Sequence, residues 1–511
     1  MREQSATLRQ GTLILTITSI ASQLLGFVYR IFLSRLVGAQ VLGLYQLIMP
    51  VYAVLLSVTA VGLTAAVSHM SAQYQALGNV QAIGQLTRRC LRTFFLLLIP
   101  IALGAIIFSD AVSVYILGDA RTRLGLVLLF PCIALTGVEN LHKHYFYGTG
   151  NVRPPAAVEI TEQIIRTAAV LLLLVLFLPQ NPERTVGLIV AGMIICEVFS
   201  AAALLLLFRG RLGPRHARPG AGEPGRVMNR KIRAIAVPVG ATALLGNLMA
   251  SANSVLIPQL LVAGGMEVGA AMSSFGVLFG MTLPMLLLPA AFIAALRLVL
   301  SPKLAENAAL HRSGEIRRLL NKALLIVSVL ILPAMALMTV VGPDLGQLLF
   351  REPSVGAFIA PLAAGVALSC YEMVLASGLH GVGRQAAAAR NSLICGAVQL
   401  AITCTTVGRP EWGMRGFVLG FVLSSVLGVL LNWTSLSRAT GLKPQIFQWL
   451  VAPALSALLT GLCCRLVFAL LGDAGVLPAV RLGACVLFGG LLYLSALQAQ
   501  GVPFLGLFRL R

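Results

Sequence analysis

Charge is what this chain has least of. Of its 511 residues only 11% are Asp, Glu, Lys or Arg, and the acids number 17. An ordinary soluble domain carries roughly 25% charged residues, so too few remain to cover a water-facing surface. Paired cysteines are missing as well. Nine cysteines scatter through the apolar sequence, which excludes a disulfide framework or a cysteine-based metal cluster. No GxxxxGK[ST] phosphate loop occurs, nor any polar stretch the size of a soluble ATPase domain, so active transport would need an ion gradient rather than ATP. The alternating segments of about ten residues that build a membrane β-barrel are also lacking.

Apolar sequence fills the space. The chain is 58% hydrophobic with a mean hydropathy of +0.91, and its apolar runs are about 20 residues long, matching the thickness of bilayer hydrocarbon. They predict an all-α polytopic membrane protein with spans at 11–33, 46–68, 91–117, 123–145, 158–178, 186–208, 234–256, 274–296, 321–341, 355–376, 391–408, 414–434, 447–470 and 480–499. The first run follows Arg2 and Arg9 as a secretory leader would, but it is too long and more spans follow, so it reads as an uncleaved first helix.

The net charge of +21 does not point to nucleic acid, because the basic residues gather at the termini and the even-numbered loops. The heaviest clusters are Arg209–Arg233 and the group Lys303, Arg312, Arg317, Arg318 and Lys322. This positive-inside bias predicts a multi-pass protein of the cytoplasmic membrane with both termini cytosolic; binding of anionic head groups is the alternative use of those charges. The Gly-, Pro- and Arg-rich stretch 209–233 reads as a flexible tether. The expected organisation is a six-helix lobe (1–208), the linker (209–233), a second six-helix lobe (234–434), and helices 13–14 with a tail (435–511).

An offset of 233 residues relates the two halves. Gly148 and Gly150 in FYGTGNV match Gly381 and Gly383 in LHGVGRQ, Pro100 matches Pro333, Ser68 matches Ser301, and Glu139 matches Glu372. Six spans per unit is an even number, so the lobes would be related by an axis along the membrane normal and would work by alternating access.

Ionisable groups inside the hydrocarbon are costly and mark function by default. Glu139 and Glu372 are candidates for gating or cation coupling, or for structural hydrogen bonds before each GxG turn. Glu162 and Arg166 are four residues apart on one helix face, the spacing of an ion pair. Glu197 and Arg465 read as lone charges, and Arg465 can snorkel to the interface. Asn247 and Asn253 place two amides on the seventh helix, for substrate or for helix association. His142 and Lys143, with His144 and Arg153, suggest a basic patch able to collect a phosphate-bearing head group. HKH offers no convincing metal site. Arg30 is a cargo or gate candidate, and Arg35 an interfacial residue. Gly148, Gly150, Gly381 and Gly383 are turn-forming.

The opening region carries GTLIL (Gly11 to Leu15), LGFVYRI (Leu25 to Ile31), SRLVGA (Ser34 to Ala39), GLYQL (Gly43 to Leu47) and AVGLTAAVSHMSAQY (Ala60 to Tyr74). With GMTLPMLLLPAAF and LSPKLAENAA, it resembles the stage V sporulation protein B family, within the group of polysaccharide exporters, peptidoglycan lipid flippases and multidrug extruders. The resemblance implies fourteen helices in two lobes and movement of a lipid-linked glycan precursor across the cytoplasmic membrane, with sporulation relatives linked to spore cortex peptidoglycan. The mechanism expected on that basis takes an isoprenoid-linked saccharide and leaves its tail in lipid near helices 13 and 14. In the peptidoglycan flippases an arginine precedes LGF and an Arg–Asp pair follows; Gln23 and Tyr29–Arg30 stand there in this chain, while Arg35 is retained. The expectation is therefore a flippase acting on a lipid-linked saccharide. It would not be an enzyme, would have no resident cofactor, would couple to Na+ or H+ if coupled at all, and would function as a monomer beside an envelope polymerase. Extrusion of small cations, a membrane glycosyl- or phosphotransferase activity, and a non-transporting scaffold are the alternatives.

Overall fold

The structure is a computed structural model that describes residues 2–177, 181–213 and 219–501. It is all-helical over these residues. Long helices follow from the composition, since a backbone in hydrocarbon must satisfy its own hydrogen bonds. Among the described residues twelve helices are long and apolar enough to cross a membrane.

The chain divides by its contacts into two units. Unit 1 is Met1–Gln259 with Glu267–Gly276, and unit 2 is Leu260–Met266 with Val277–Arg511. Unit 1 contains α1 (Arg2–Leu56), α2 (Gly62–Ala76), α3 (Val80–Ile107), α4 (Arg123–Gly148), α5 (Arg153–Phe177), α6 (Pro182–Leu212), most of α7 (Gly225–Ala263) and α8 (Val268–Phe275). The expected lobe boundary at 234 thus differs from the contact boundary, which falls near the end of α7. Close packing explains this. A methyl group on Gly62 of α2 would lie 2.2 Å from the Ala236 carbonyl oxygen of α7, and one on Gly276 would lie 1.9 Å from the Ala39 oxygen.

Two of the expected spans lie within one continuous stretch, Ile14–Ala76. Gly38, in SRLVGAQ, breaks the helical path of α1 with φ +74° and ψ 175°, a conformation glycine adopts without a Cβ penalty. A wide π-helical turn, Ser57–Val61, joins α1 to α2.

The linker is shorter and better anchored than a flexible tether. Helices α6 and α7 extend into it, and residues 214–218 lie outside the described residues. Gln81 N–H donates to the Pro219 carbonyl, Asn79 Nδ2 to the Ala221 carbonyl, and Glu223 N–H to Gln85 Oε1. These bonds hold 219–223 against the α2–α3 turn.

Unit 2 contains α9 (Ala290–Ala309), α10 (Ser313–Phe350), α11 (Ile359–Gly381), α12 (Gln385–Thr406), α13 (Met414–Thr440), α14 (Ala452–Asp473) and α15 (Pro478–Ala499). The eighth expected span is interrupted: α8 runs into a wide turn at Gly276–Thr282, a short helix Leu283–Leu287, and then α9. Pro284 and Pro289 explain the breaks, since each lacks an N–H and crowds the preceding turn. The last two helices pack on α10, through Val329, Ala452, Ala457, Tyr493 and Leu497 at one level and Val341, Cys464, Leu482 and Cys485 at another.

The repeat is visible in backbone detail. Thr149, Gly150 and Asn151 donate to the carbonyls of Tyr145, Tyr147 and Phe146, and Val382, Gly383 and Arg384 donate to those of Gly378, His380 and Leu379. Every donor and acceptor is displaced by the same 233 positions. Gly150 and Gly383 take φ of +75° and +78°, the left-handed helix stop that glycine favours. Gly148 packs against the backbone of Ser68, and Gly381 packs against Leu304 and the Ser301 carbonyl. The Ser68–Ser301 match thus has its structural basis.

Candidate functional site

The densest polar cluster lies inside unit 1, where α4, α5 and α6 pack together. Helix α5 supplies Glu159, Glu162 and Arg166. Arg166 pairs with Glu162, one turn away, as the i,i+4 spacing predicts. Its guanidinium also lies 3.6 Å from Glu197 Oε1 on α6 and donates from Nε to Cys196 Sγ at 3.4 Å. Glu197 is therefore not a lone charge: packing of two successive helices brings it to Arg166. Glu197 is 2% exposed, and its Oε2 has no hydrogen-bond partner.

Helix α4 supplies the second half of the cluster. Lys143 Nζ lies 3.0 Å from Glu159 and 3.7 Å from Glu139. Glu139 is buried and also accepts from Ser200 Oγ at 3.1 Å. Four carboxyl groups thus share two cations. Buried polar groups cost most when unpaired, and the network meets that cost with mutual ion pairs. Glu162, Cys196 and Glu197 have ligand atoms close enough to hold a cation. However, the Arg166 guanidinium already engages all three residues and takes the cation's place.

Tyrosines surround this cluster. Tyr52 donates to Thr136 at 3.0 Å, and Tyr45 donates to Met193 Sδ at 3.4 Å. The Tyr29 hydroxyl is buried without a partner and lies within electrostatic reach of Arg166. Arg30, beside it, is half-buried with no hydrogen bond or ion pair among the described residues.

The proposed basic patch is not assembled. His142 is fully buried, its Nδ1 on the Val138 carbonyl at 2.6 Å and its ring edge-on to Phe208. Lys143 faces the acids, and Arg153 is exposed at the start of α5. Asn247 donates to Ser57 Oγ and the Ala53 carbonyl. Asn253 is buried six residues on and donates to the Met249 carbonyl within its own helix. Arg35 and Arg465 are exposed.

In unit 2 the counterpart acid stands alone. Glu372 packs against Gly428 of α13 and has no hydrogen bond or ion pair among the described residues. Sequence reasoning missed Glu159, whose spacing three residues before Glu162 was the available signal. It also missed Arg297, whose Nε is buried without a partner on α9.

The site is thus a set of buried ion pairs within an apolar bundle whose helices are long enough to cross a membrane. Two family models match the chain, one described as polysaccharide biosynthesis protein over residues 8–296 and one as lipid II flippase MurJ over residues 169–472. Each covers more than half of the chain, and the protein belongs to this polysaccharide biosynthesis and lipid II flippase family. Stage V sporulation protein B of Bacillus subtilis (strain 168) is 23% identical over 445 residues, covering 87% of this chain and 86% of that protein. Sporulation protein YkvU of the same organism is 22% identical over 447 residues, covering 86% and 96%. Among solved structures, the inward closed conformation of lipid II flippase MurJ matches with a TM-score of 0.70 at 12% identity, covering 95% of this chain and 98% of that one. The inward-facing multidrug resistance MATE family transporter of the MOP superfamily matches at 0.65 and 14% identity, covering 84% and 100%. At these identities the structural matches speak for the fold alone.

Proposed function

We propose that this protein is a flippase or exporter that carries a lipid-linked saccharide, a peptidoglycan or polysaccharide precursor, across the cytoplasmic membrane for envelope or spore cortex synthesis. The observation that carries the reading is the family membership, which extends over residues 8–472 through the two overlapping matches. In this reading fourteen spans form two six-helix lobes plus a final pair, both termini are cytosolic, and transport proceeds by alternating access in a monomer. The excess of Lys and Arg in the linker and even-numbered loops supports the orientation. An envelope polymerase would consume the product.

Coupling to protons fits the unit 1 cluster better than coupling to sodium. Four carboxyl groups share two cations, and a proton on the buried Glu197 would remove an uncompensated negative charge. A second reading, extrusion of a small cation, is favoured by the same excess of acids.

The deciding experiment reconstitutes the purified chain in vesicles with fluorescent lipid-linked saccharides and, separately, with cationic dyes. Faster movement of the saccharide lipid is expected. Movement of dyes alone would transfer the assignment to the extruder reading, and movement of neither would end both. Glu197→Gln is expected to remove stimulation by an imposed pH gradient and to leave any effect of a sodium gradient unchanged.

A further inference from the structure

The basic residues that open α10 take no part in the carboxylate network of unit 1, and they line a cavity of their own. It measures about 430 Å³ and lies within unit 2, between the first turns of α10 and the loop that leaves α13. Arg317, Arg318 and Asn321 line it from α10, and Gly441, Lys443 and Gln445 line it from the loop. The loop is pinned. Gly441 takes a left-handed φ of +66°, its N–H donates to the Ser437 carbonyl, and Ser437 Oγ donates to the Leu442 carbonyl at 2.8 Å.

The charge here is one-sided. Arg317 and Lys443 are exposed, with no hydrogen bond or ion pair among the described residues. Arg318 lies 3.6 Å from Glu315, both side chains at least half exposed, so solvent screens that pair. Asn321 Oδ1 is buried without a partner. The lining therefore suits an anion that also carries a hydrogen-bond donor. Beyond Gln445 the same segment turns apolar, with Ile446 56%, Phe447 61% and Leu450 46% exposed.

The repeat shows what sets this place apart. Helices α3 and α10 begin 233 residues apart, at Val80 and Ser313, so Gln85 and Arg318 correspond. In unit 1 the start of α3 is covered by residues 219–223, which follow α6: Gln81 N–H donates to the Pro219 carbonyl, and Glu223 N–H to Gln85 Oε1. In unit 2 the segment that follows α13 passes beside the start of α10 and leaves the basic cavity.

We propose that this cavity binds the head group of an acidic phospholipid of the phosphatidylglycerol type, drawn from the surrounding leaflet. The phosphate lies among Arg317, Arg318 and Lys443, a head-group hydroxyl donates to Asn321 Oδ1, and an acyl chain follows Ile446, Phe447 and Leu450. Guanidinium groups suit phosphate because they bind it through parallel charge-assisted hydrogen bonds, and basic clusters at the ends of membrane helices attract acidic lipid. The exposed apolar residues beside the cavity favour a lipid over a soluble phosphate. This site is separate from the cargo and does not depend on what the protein carries.

The test uses the full chain in detergent with phosphatidylglycerol and phosphatidylcholine of equal chain length. Binding is measured by native mass spectrometry and repeated with glycerol phosphate in excess as competitor. The wild type is expected to prefer phosphatidylglycerol and to keep it against the competitor. Arg317→Gln combined with Lys443→Gln, at two exposed and unpaired side chains, is expected to weaken phosphatidylglycerol binding about tenfold and to leave phosphatidylcholine unchanged. Unchanged melting temperatures establish folding, and Lys443→Glu, confined to the loop, supplies the reading if the double variant melts early. Equal wild-type affinity for the two lipids, equal losses for both, or phosphatidylglycerol binding that neither variant alters would each overturn the site. Displacement by glycerol phosphate would make the ligand a soluble phosphate and overturn the lipid assignment.

Discussion

Glu139 and Glu372 precede two turns whose backbone hydrogen bonds match at an offset of 233 residues, yet the two acids have different partners. Glu139 sits in a network with Lys143, Ser200 and, through Lys143, Glu159. Glu372 packs against Gly428 with no hydrogen bond or ion pair among the described residues, and Arg297 Nε in the same unit is buried without a partner. The turn geometry matches because it is a property of the local chain, while the ion pair and hydrogen bond of Glu139 depend on Lys143 and Ser200, for which Glu372 has no counterpart partner among the described residues. Among the described residues, the buried acids Glu139, Glu162 and Glu197 of unit 1 lie beside Lys143 or Arg166, while Glu372 and Arg297 Nε of unit 2 have no such partner.

The largest effect should come from removing the cation that unit 1 depends on. Arg166→Ala leaves Glu162 and Glu197 buried without their partner, a situation that costs about 3–5 kcal/mol, and a melting curve in detergent should show a marked loss of folded protein. Combining it with Glu162→Gln should restore part of that loss, giving a positive coupling in the double-mutant cycle. No such rescue would break the view of the cluster as one network.

The paired acids give the next test. Glu139→Gln should destabilise by about 1–3 kcal/mol, because Lys143 loses one of two acidic partners in a buried site. Glu372→Gln should leave stability unchanged or slightly higher, since no partner is lost. If Glu372→Gln nonetheless reduces transport, the unpaired acid of unit 2 acts on the cargo or the coupling ion. Equal destabilisation by both substitutions would remove the contrast.

A steric pair follows. Gly148→Ala pushes a methyl group into the Ser68 carbonyl at 2.3 Å with more backbone behind it, while Gly381→Ala meets first the Leu304 side chain at 2.6 Å. Overpacking costs about 1–3 kcal/mol, and the backbone contact should take the larger share. Melting temperatures of the two variants should differ in that order.

Much of the fold was legible in sequence because it is written in local signals. Apolar run length locates the helices, and GxG at the end of an apolar run marks a left-handed stop. The assignment of α7 to unit 1 was not legible, since it depends on Gly62 meeting Ala236 far along the chain. The eighth span was read as continuous because Pro284 and Pro289 lie in a strongly apolar run. Of the site, the Glu162–Arg166 pair was readable at one helical turn. Glu197 looked isolated because its partner lies on another helix, and Arg297 fell one residue beyond the expected end of its span. His142 and Lys143 looked like a surface patch because adjacency in sequence does not say which way neighbouring side chains point on a helix.

The smallest effect concerns the linker clamp of unit 1, where Glu223 is engaged by Lys231 and Tyr74. Burial alone would raise the Glu223 carboxyl's pKa, but hydrogen bonds from Lys231 and Tyr74 and the charge of Lys231 hold it below its ordinary value. A group whose pKa is lowered by folding releases its proton more readily in the folded state. Its stabilisation is therefore complete above the ordinary carboxylate range and disappears as pH falls through the depressed value. Lys231 is half-exposed, so solvent screens the pair and the effect should stay below about 1 kcal/mol. A melting series from neutral to acidic pH should show wild type losing stability faster than Glu223→Gln, the two curves converging at the acid end. Parallel curves would mean that the clamp is held by the backbone bonds to Gln81, Asn79 and Gln85 alone.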